Sequence, residues 1–291
     1  MHVPVMPVEV TDLLAIRPEG IYLDCTAGLG GHTAQIAQRL TTGFVIANDR
    51  DAQSLEMAQA NTADVADRIR FYQGPFSSLR SALASAGVER VSALLADLGV
   101  SRYQLTDADR GFSMMTEGPL DMRMDRSQAL TAADIVNFSS EKDIADLIYR
   151  LGEERRSRRI AQGIVRARPI QSTLHLAQVI ERVAPRIGRI HPATQTFMAL
   201  RLAVNGELDE LDTLLELLPD LVSGGGRVLV ISFMSLEDRK VKQSFQALAR
   251  SGRAKVLTRH VITPSDEEIA RNPASRSAKL RVIEMNQGNG S

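Results

Sequence analysis

Ile21-Tyr22-Leu23-Asp24-Cys25-Thr26-Ala27-Gly28-Leu29-Gly30-Gly31-His32-Thr33 reads as a short apolar strand closed by an acid, a turn rich in glycine, and the start of a helix. Gly28, Gly30 and Gly31 let the backbone turn tightly and approach a ligand that a Cβ would exclude. On the helix that follows, Ile36 and Leu40 lie one turn apart with Ala37 beside them, the stripe a helix needs to pack on a sheet. The alternation repeats outward, with β-type runs at Phe44–Ala47, Ile69–Tyr72 and Val91–Ala96 and helical stretches near 32–40, 52–60 and 77–86. This βαβαβαβ order predicts a parallel sheet covered by helices on both faces.

The rhythm changes after Asp97. From about 104 to 190 no strand is indicated, and helical stretches such as 141–151 and 153–167 dominate. A long helix near 193–218, the run Gly224-Gly225-Gly226, a strand at Arg227–Phe233, a helix near 236–250 and strands near 254–262 and 278–285 complete the chain. The expected organisation is one α/β domain, residues 1–103 and 191–291, interrupted by a helical insertion over 104–190, with a disordered tail at 287–291.

Composition bounds the function. A single cysteine, Cys25, excludes an internal disulfide and a multi-cysteine zinc site, and the five histidines lack the close spacing of a helical metal pair, so no metal is expected. No apolar run reaches the roughly 20 residues that span a bilayer, and the first residues lack a signal-peptide pattern; a cytoplasmic protein without a membrane partner is expected. Lys+Arg and Asp+Glu balance at 35 each. That balance hides a segregation, because Arg150 to Arg189 holds ten arginines against Glu153, Glu154 and Glu181. Such a field is either a nucleic-acid surface or a solvated helix face with internal Glu–Arg pairs.

In doubly wound sheets a ligand sits at the carboxyl ends of the strands. Three of those positions are acidic: Asp24, Asp49 and Asp97. Asp49 follows Gly30 by 19 residues, close to the ~20 at which a carboxylate meets the ribose hydroxyls of an adenosine cofactor. The pattern Gly-x-Gly-Gly lacks the third glycine of a dinucleotide turn, which disfavours an NAD-linked oxidoreductase. Acids around the turn suit a cofactor carrying positive charge, and S-adenosylmethionine has an ammonium and a sulfonium; a mere tight turn is the competing reading. Asp97 either orients an exocyclic amine and helps remove its proton, or contacts only the cofactor. Phe76 either stacks on the adenine or fills the core. In Gly118–Asp125, Arg123 either meets phosphate or base, or pairs with the loop's own aspartates.

Taken together, the motifs resemble a known family: the bacterial 16S ribosomal RNA cytosine-N4 methyltransferases, the small-subunit methyltransferase H or MraW family. The resemblance rests on His2-Val3-Pro4-Val5-Met6, Asp24 to Thr33, Asn48-Asp49-Arg50-Asp51, Gly74-Pro75-Phe76-Ser77, Asp97 to Ser101 with Gln104-Leu105, and Arg110-Gly111-Phe112-Ser113. It continues through Gly118 to Asp125, Gly152-Glu153-Glu154-Arg155, His191 to Thr196, Ser232-Phe233 with Ser235 to Arg239, and Asn272-Pro273 with Ser275 to Leu280. It implies a Rossmann-like class I methyltransferase sheet with an inserted helical domain, and S-adenosylmethionine held by Gly30, Gly31, His32, Asp49, Phe76, Asp97 and Gln104; Asp24 and Gly28 join them from the turn itself. It further implies direct methylation of the N4 amine of a cytidine in the decoding centre of the small ribosomal subunit, with the helical insertion helping to recognise RNA. Arg123, Arg155, Arg156 and Arg159 are the candidate RNA ligands, and an oligomer is left open. The alternative is a non-catalytic ribosome-assembly protein on the same fold, suggested by Met234 where the family usually has histidine.

Overall fold

The computed structural model describes residues 4–186, 188 and 191–287. His2 and Val3 of the N-terminal motif, Arg189 of the arginine field and residues 288–291 of the expected tail lie outside the described residues. The chain divides into two compact units, one of residues 1–99 and 209–291 and one of residues 100–208.

The first unit is built on a seven-stranded sheet in the order β3-β2-β1-β4-β5-β7-β6. Its strands are β1 Ile21–Asp24, β2 Phe44–Asp49, β3 Ile69–Gln73, β4 Val91–Asp97, β5 Val222–Ser232, β6 Ala254–Val256 and β7 Lys279–Met285. β7 runs antiparallel to both neighbours, and the other pairings are parallel. The strand order reverses between β1 and β4, so the crevice beyond their carboxyl ends is the topological switch point at which such sheets bind ligands. Helices α1 Pro7–Leu14, α2 Gly31–Ala37, α3 Ala52–Asn61 and α4 Leu79–Ser85 belong to its first half. α11 Glu207–Leu221, α12 Ser235–Arg250 and α13 Asp266–Arg271 belong to the second. Strand residues alternate between two cores. Leu23, Ile46, Leu94 and Val230 pack with α4, α11 and α12 leucines on one face, while Tyr22, Val45, Leu95 and Ile231 pack with Val10, Ile36 and Leu40 on the other.

The second unit is helical: α5 Arg102–Thr106, α6 Ala132–Phe138, α7 Glu141–Gly152, α8 Ser157–Arg166, α9 Thr173–Val183 and α10 Thr194–Asn205. Its own core gathers Ile144, Ile148, Ile160, Ile164, Leu176 and Ile180, joined by Phe197, Leu200 and Val204 of α10. The unit therefore extends to Leu208 rather than to 190, because α10 buries its apolar stripe among the helices of the insertion.

Three further expectations are corrected. The long helix predicted over 193–218 is two helices, since Gly206 takes a left-handed φ of 57° after α10. Gly224–Gly226 lies within β5 as an irregularity, where the register against β4 jumps from Val91↔Val222 to Ala93↔Arg227. A Cβ at Gly226 would stand 2.7 Å from the Ser92 carbonyl, so glycine is needed there. The strand expected over 254–262 ends at Val256, with an isolated bridge from Ile262 to Leu280.

Candidate active site and nucleic-acid interface

Register alone places the three acids. Asp24 pairs with Ala47 and with Leu95, so Asp49 and Asp97, each two residues further on, share its face of the sheet. The turn after β1 is held from several sides. Cys25 N donates to Leu95 O at 2.8 Å and Ala27 N to Asn48 O at 2.8 Å. Gly28 and Gly30 adopt φ of 52° and 88°, conformations that favour glycine.

Asp24 is 1% exposed and accepts Thr33 Oγ1 at 2.6 Å and Thr26 N at 3.2 Å. These bonds make it an organiser of the turn. Asp49 accepts Gly28 N at 2.8 Å and Asp51 N at 2.9 Å, which ties the glycine turn to the end of β2. Each carboxylate oxygen keeps a lone pair for a ligand hydroxyl. Asp97 N donates to Thr26 Oγ1 at 2.7 Å, His32 Nε2 lies 3.9 Å from Asp97 Oδ2, and Asp97 Oδ1 is buried with no hydrogen-bond partner. Asn48, fully buried, donates to Cys25 O at 3.0 Å and Gly74 O at 3.1 Å and so positions the segment that carries Phe76. Phe76 itself is half-buried and packs against the Leu23–Leu94 core, which leaves part of its ring open.

Electrostatics give the site its sign. Burial pushes Asp24 and Asp49 up from 3.8 to about 6, against hydrogen bonds that pull the other way. Burial, with the charges of Asp24 and Glu237, pushes Asp97 up to about 8. Glu237, 3% exposed at the start of α12, accepts Phe233 N at 3.0 Å and Met234 N at 3.2 Å. Three carboxylates at strand ends, one with an oxygen lacking a donor, form a site that a positively charged ligand would relieve. Among the described residues no group of three or more His, Cys, Asp or Glu could hold a metal ion. The buried acids Asp24, Asp49 and Asp97 beside the glycine turn fit the ammonium and sulfonium of S-adenosylmethionine.

Thr26, Thr33, Asn48 and Glu237 are supporting residues that the sequence did not single out individually. All four sit inside quoted motifs, and a polar residue among apolar neighbours was the available signal.

In the helical unit, Gln104 is buried and closes a capping box, its Oε1 accepting Ser101 N at 2.9 Å. Arg123 is held inside its own loop. It binds Asp121 through Nε at 2.7 Å and Nη2 at 2.8 Å, and donates Nη1 to Arg126 O and Gln128 O. Burial works against the Asp121 charge, but the Arg123 hydrogen bonds outweigh it and hold that carboxyl below its ordinary value. Arg156 is committed in the same way: its Nε and Nη2 bind the buried Glu154, and Nη1 donates to Pro185 O at 3.0 Å. The Arg156 hydrogen bonds lower the Glu154 pKa.

These contacts draw together the end of α7, the start of α8 and the end of α9. Around them Arg150, Arg155, Arg158, Arg159 and Arg182 are exposed. Arg159, Gln162 and Arg166 recur at helical spacing along the open face of α8, Arg155 is exposed just before the helix, and Tyr149 stands 61% exposed near the end of α7.

The reversing parallel sheet, the glycine turn and the acid cluster define a class I, S-adenosylmethionine-dependent methyltransferase. The model of the MraW methylase family matches residues 1–286. Ribosomal RNA small subunit methyltransferase H of Solibacter usitatus (strain Ellin6076) is 66% identical over 98% of this chain and 100% of its own length. The proteins of the same name from Koribacter versatilis (strain Ellin345) and Thermosipho africanus (strain TCF52B) are 51% and 45% identical over 97% of this chain, covering 93% and 97% of their own. The chain belongs to the MraW methylase family.

Proposed function

We propose that the protein methylates ribosomal RNA of the small subunit, and that the acceptor is the exocyclic N4 of a cytidine in the decoding centre. Its relatives are named small subunit methyltransferases, which supports the coarser reading; the finer one rests on the chemistry of Asp97. A cytosine amine is a weak nucleophile because its lone pair is delocalised into the ring, so the enzyme must position the nitrogen and accept its proton. When bound, S-adenosylmethionine would supply an electrophilic methyl group, its S–CH3 bond breaking to leave S-adenosylhomocysteine.

The free Asp97 Oδ1 accepts a hydrogen bond from the amine, directs its lone pair, and takes up the proton as the N–C bond forms. Burial holds its pKa at about 8 in the ligand-free protein, and the cofactor's positive charge would ionise it and ready it as a base near neutral pH. Thr26, through its hydroxyl on Asp97 N, fixes the base against the turn. Asp49 holds the cofactor's ribose, and Gly30, Gly31, His32 and Phe76 line its site. The exposed arginines around the α7–α8 connection contact phosphates, with Arg155 and Arg159 leading, while Arg123 and Arg156 shape the surface that presents them.

The unpartnered Asp97 oxygen beside the turn is the observation that carries this reading. Its test is nucleoside analysis of 16S rRNA from a strain lacking the gene. N4-methylated cytidine is absent there, returns with the wild-type gene, and fails to return with Asp97→Asn. Restoration by Asp97→Asn would remove Asp97 from the chemistry, and a methylated nucleoside unaffected by the deletion would sink the assignment.

A further inference from the structure

Two motifs at opposite ends of the chain meet in space without a part in the chemistry above. Pro4, Val5 and Met6 are buried, and Met6 sits in a left-handed conformation with φ 51° just before α1. Its N–H donates to Glu268 Oε1 at 2.7 Å, across 262 residues of sequence. Glu268 lies in α13, whose flanks are fastened down. Ile262 and Leu280 exchange both backbone hydrogen bonds, at 3.1 and 2.9 Å, and Ser275, fully buried in the 3-10 turn Pro273–Ser277, donates its N and Oγ to Asn272 O and accepts from Ala278 N.

The other side of the N-terminal segment faces the glycine turn. A Cβ on Gly31 would stand 3.2 Å from Pro4 Cβ and Cδ, tighter than side chains normally pack. Val5 and Met6 share a core with Ala27 of the same turn. The turn is thus gripped by Asp49 and Asn48 O from within the sheet and by Pro4–Met6 from outside.

We infer that Pro4–Met6 is the outer wall of the cofactor's glycine turn, and that Glu268 is a positioning residue for cofactor binding, acting by holding Met6 N. The inference rests on the reading of the glycine turn as the S-adenosylmethionine site. A charged acceptor for a partly buried N–H is a strong clip, and losing it frees the segment and with it one side of the turn. Glu268 touches neither substrate nor cofactor, so its effect falls on cofactor affinity rather than on the transfer step.

The test is calorimetric titration of the full-length protein with S-adenosylmethionine, paired with steady-state kinetics on small ribosomal subunits. Glu268→Ala weakens the cofactor by about tenfold, with a rise in its KM that far exceeds any fall in kcat. Glu268→Gln keeps an acceptor oxygen and stays within about twofold of wild type. Gly31→Ala also weakens the cofactor, and adding Pro4→Ala recovers part of that loss, giving a non-additive cycle. Wild-type affinity in Glu268→Ala, equal losses in the Ala and Gln variants, or strict additivity of Pro4→Ala with Gly31→Ala would each overturn the inference. Asp49→Ala, titrated alongside, separates the failures: if it too binds normally, the cofactor site itself has been misplaced.

Discussion

Cofactor binding should release close to one proton at pH 7, most of it from Asp97. The perturbation is the arrival of fixed positive charge at a site where burial and two neighbouring carboxylates hold Asp97 at about 8, with Asp24 and Asp49 at about 6. At pH 7 a group titrating near 8 is roughly 90% protonated and one near 6 roughly 10%, so full ionisation on binding expels about one proton in total. The sign follows from the linkage. Between about pH 4 and 8 the ligand-free folded protein retains protons that the unfolded chain has lost, so these acids lower its stability as pH rises. A cationic ligand that favours the ionised form binds more tightly over the same rise, approaching tenfold per pH unit between about pH 6 and 8.

Titration calorimetry at pH 7 in buffers of different ionisation enthalpy counts the protons directly. S-adenosylhomocysteine, which lacks the sulfonium charge, should release fewer, and Asp97→Asn should abolish most of the release. An observed enthalpy independent of buffer, or undiminished release from Asp97→Asn, refutes the electrostatic account of the site.

Further outcomes follow from the same contacts. Thr33→Val strips the hydroxyl from the buried Asp24 carboxylate and should cost on the order of 2 kcal/mol in denaturant unfolding, with weaker cofactor binding; a neutral result would mean that Asp24 is not ionised in the folded protein. Glu154→Ala removes two charge-assisted hydrogen bonds from the half-exposed Arg156 and should destabilise the helical unit by about 1–2 kcal/mol, read by circular dichroism melts. Because the Glu154 pKa is depressed, its contribution is present above the ordinary 4.5 and should fade as pH falls below that value. Replacing Arg155 or Arg159 with alanine should each lower the slope of log affinity against log salt for a 16S rRNA fragment by a little under ~1, measured by fluorescence anisotropy; an unchanged slope assigns those arginines to solvent.

What was legible in the sequence was local. Strand β1, the glycine turn and the acids at 24, 49 and 97 follow from periodicity and spacing because each is determined within a few residues. The break at Gly206 was signalled by the dipeptide Asn205-Gly206, but the apolar stripe continues across it and the helical period dominated. Asn205 also clips Met124 N at 2.8 Å and Met122 O at 2.8 Å, a long-range role that no local pattern encodes. The commitment of Arg123 and Arg156 was half legible. Each lies two residues from an acid, but only burial decides whether the pair closes on itself or faces a ligand. The bond from Glu268 to Met6 was invisible, since nothing in either segment names a partner at the other end of the chain.

Cys25 offers a practical use. The protein's one thiol is buried at the head of the glycine turn, and burial together with the Asp24 charge pushes its pKa well above the ordinary 9.0. An alkylating reagent meets it only when the turn opens, so its modification rate is a built-in clock for local unfolding at the cofactor site. The same inertness leaves the surface free for chemistry. A cysteine placed at Phe138, which is 83% exposed, would accept a fluorophore at one defined position without removing any native side chain of the cofactor site.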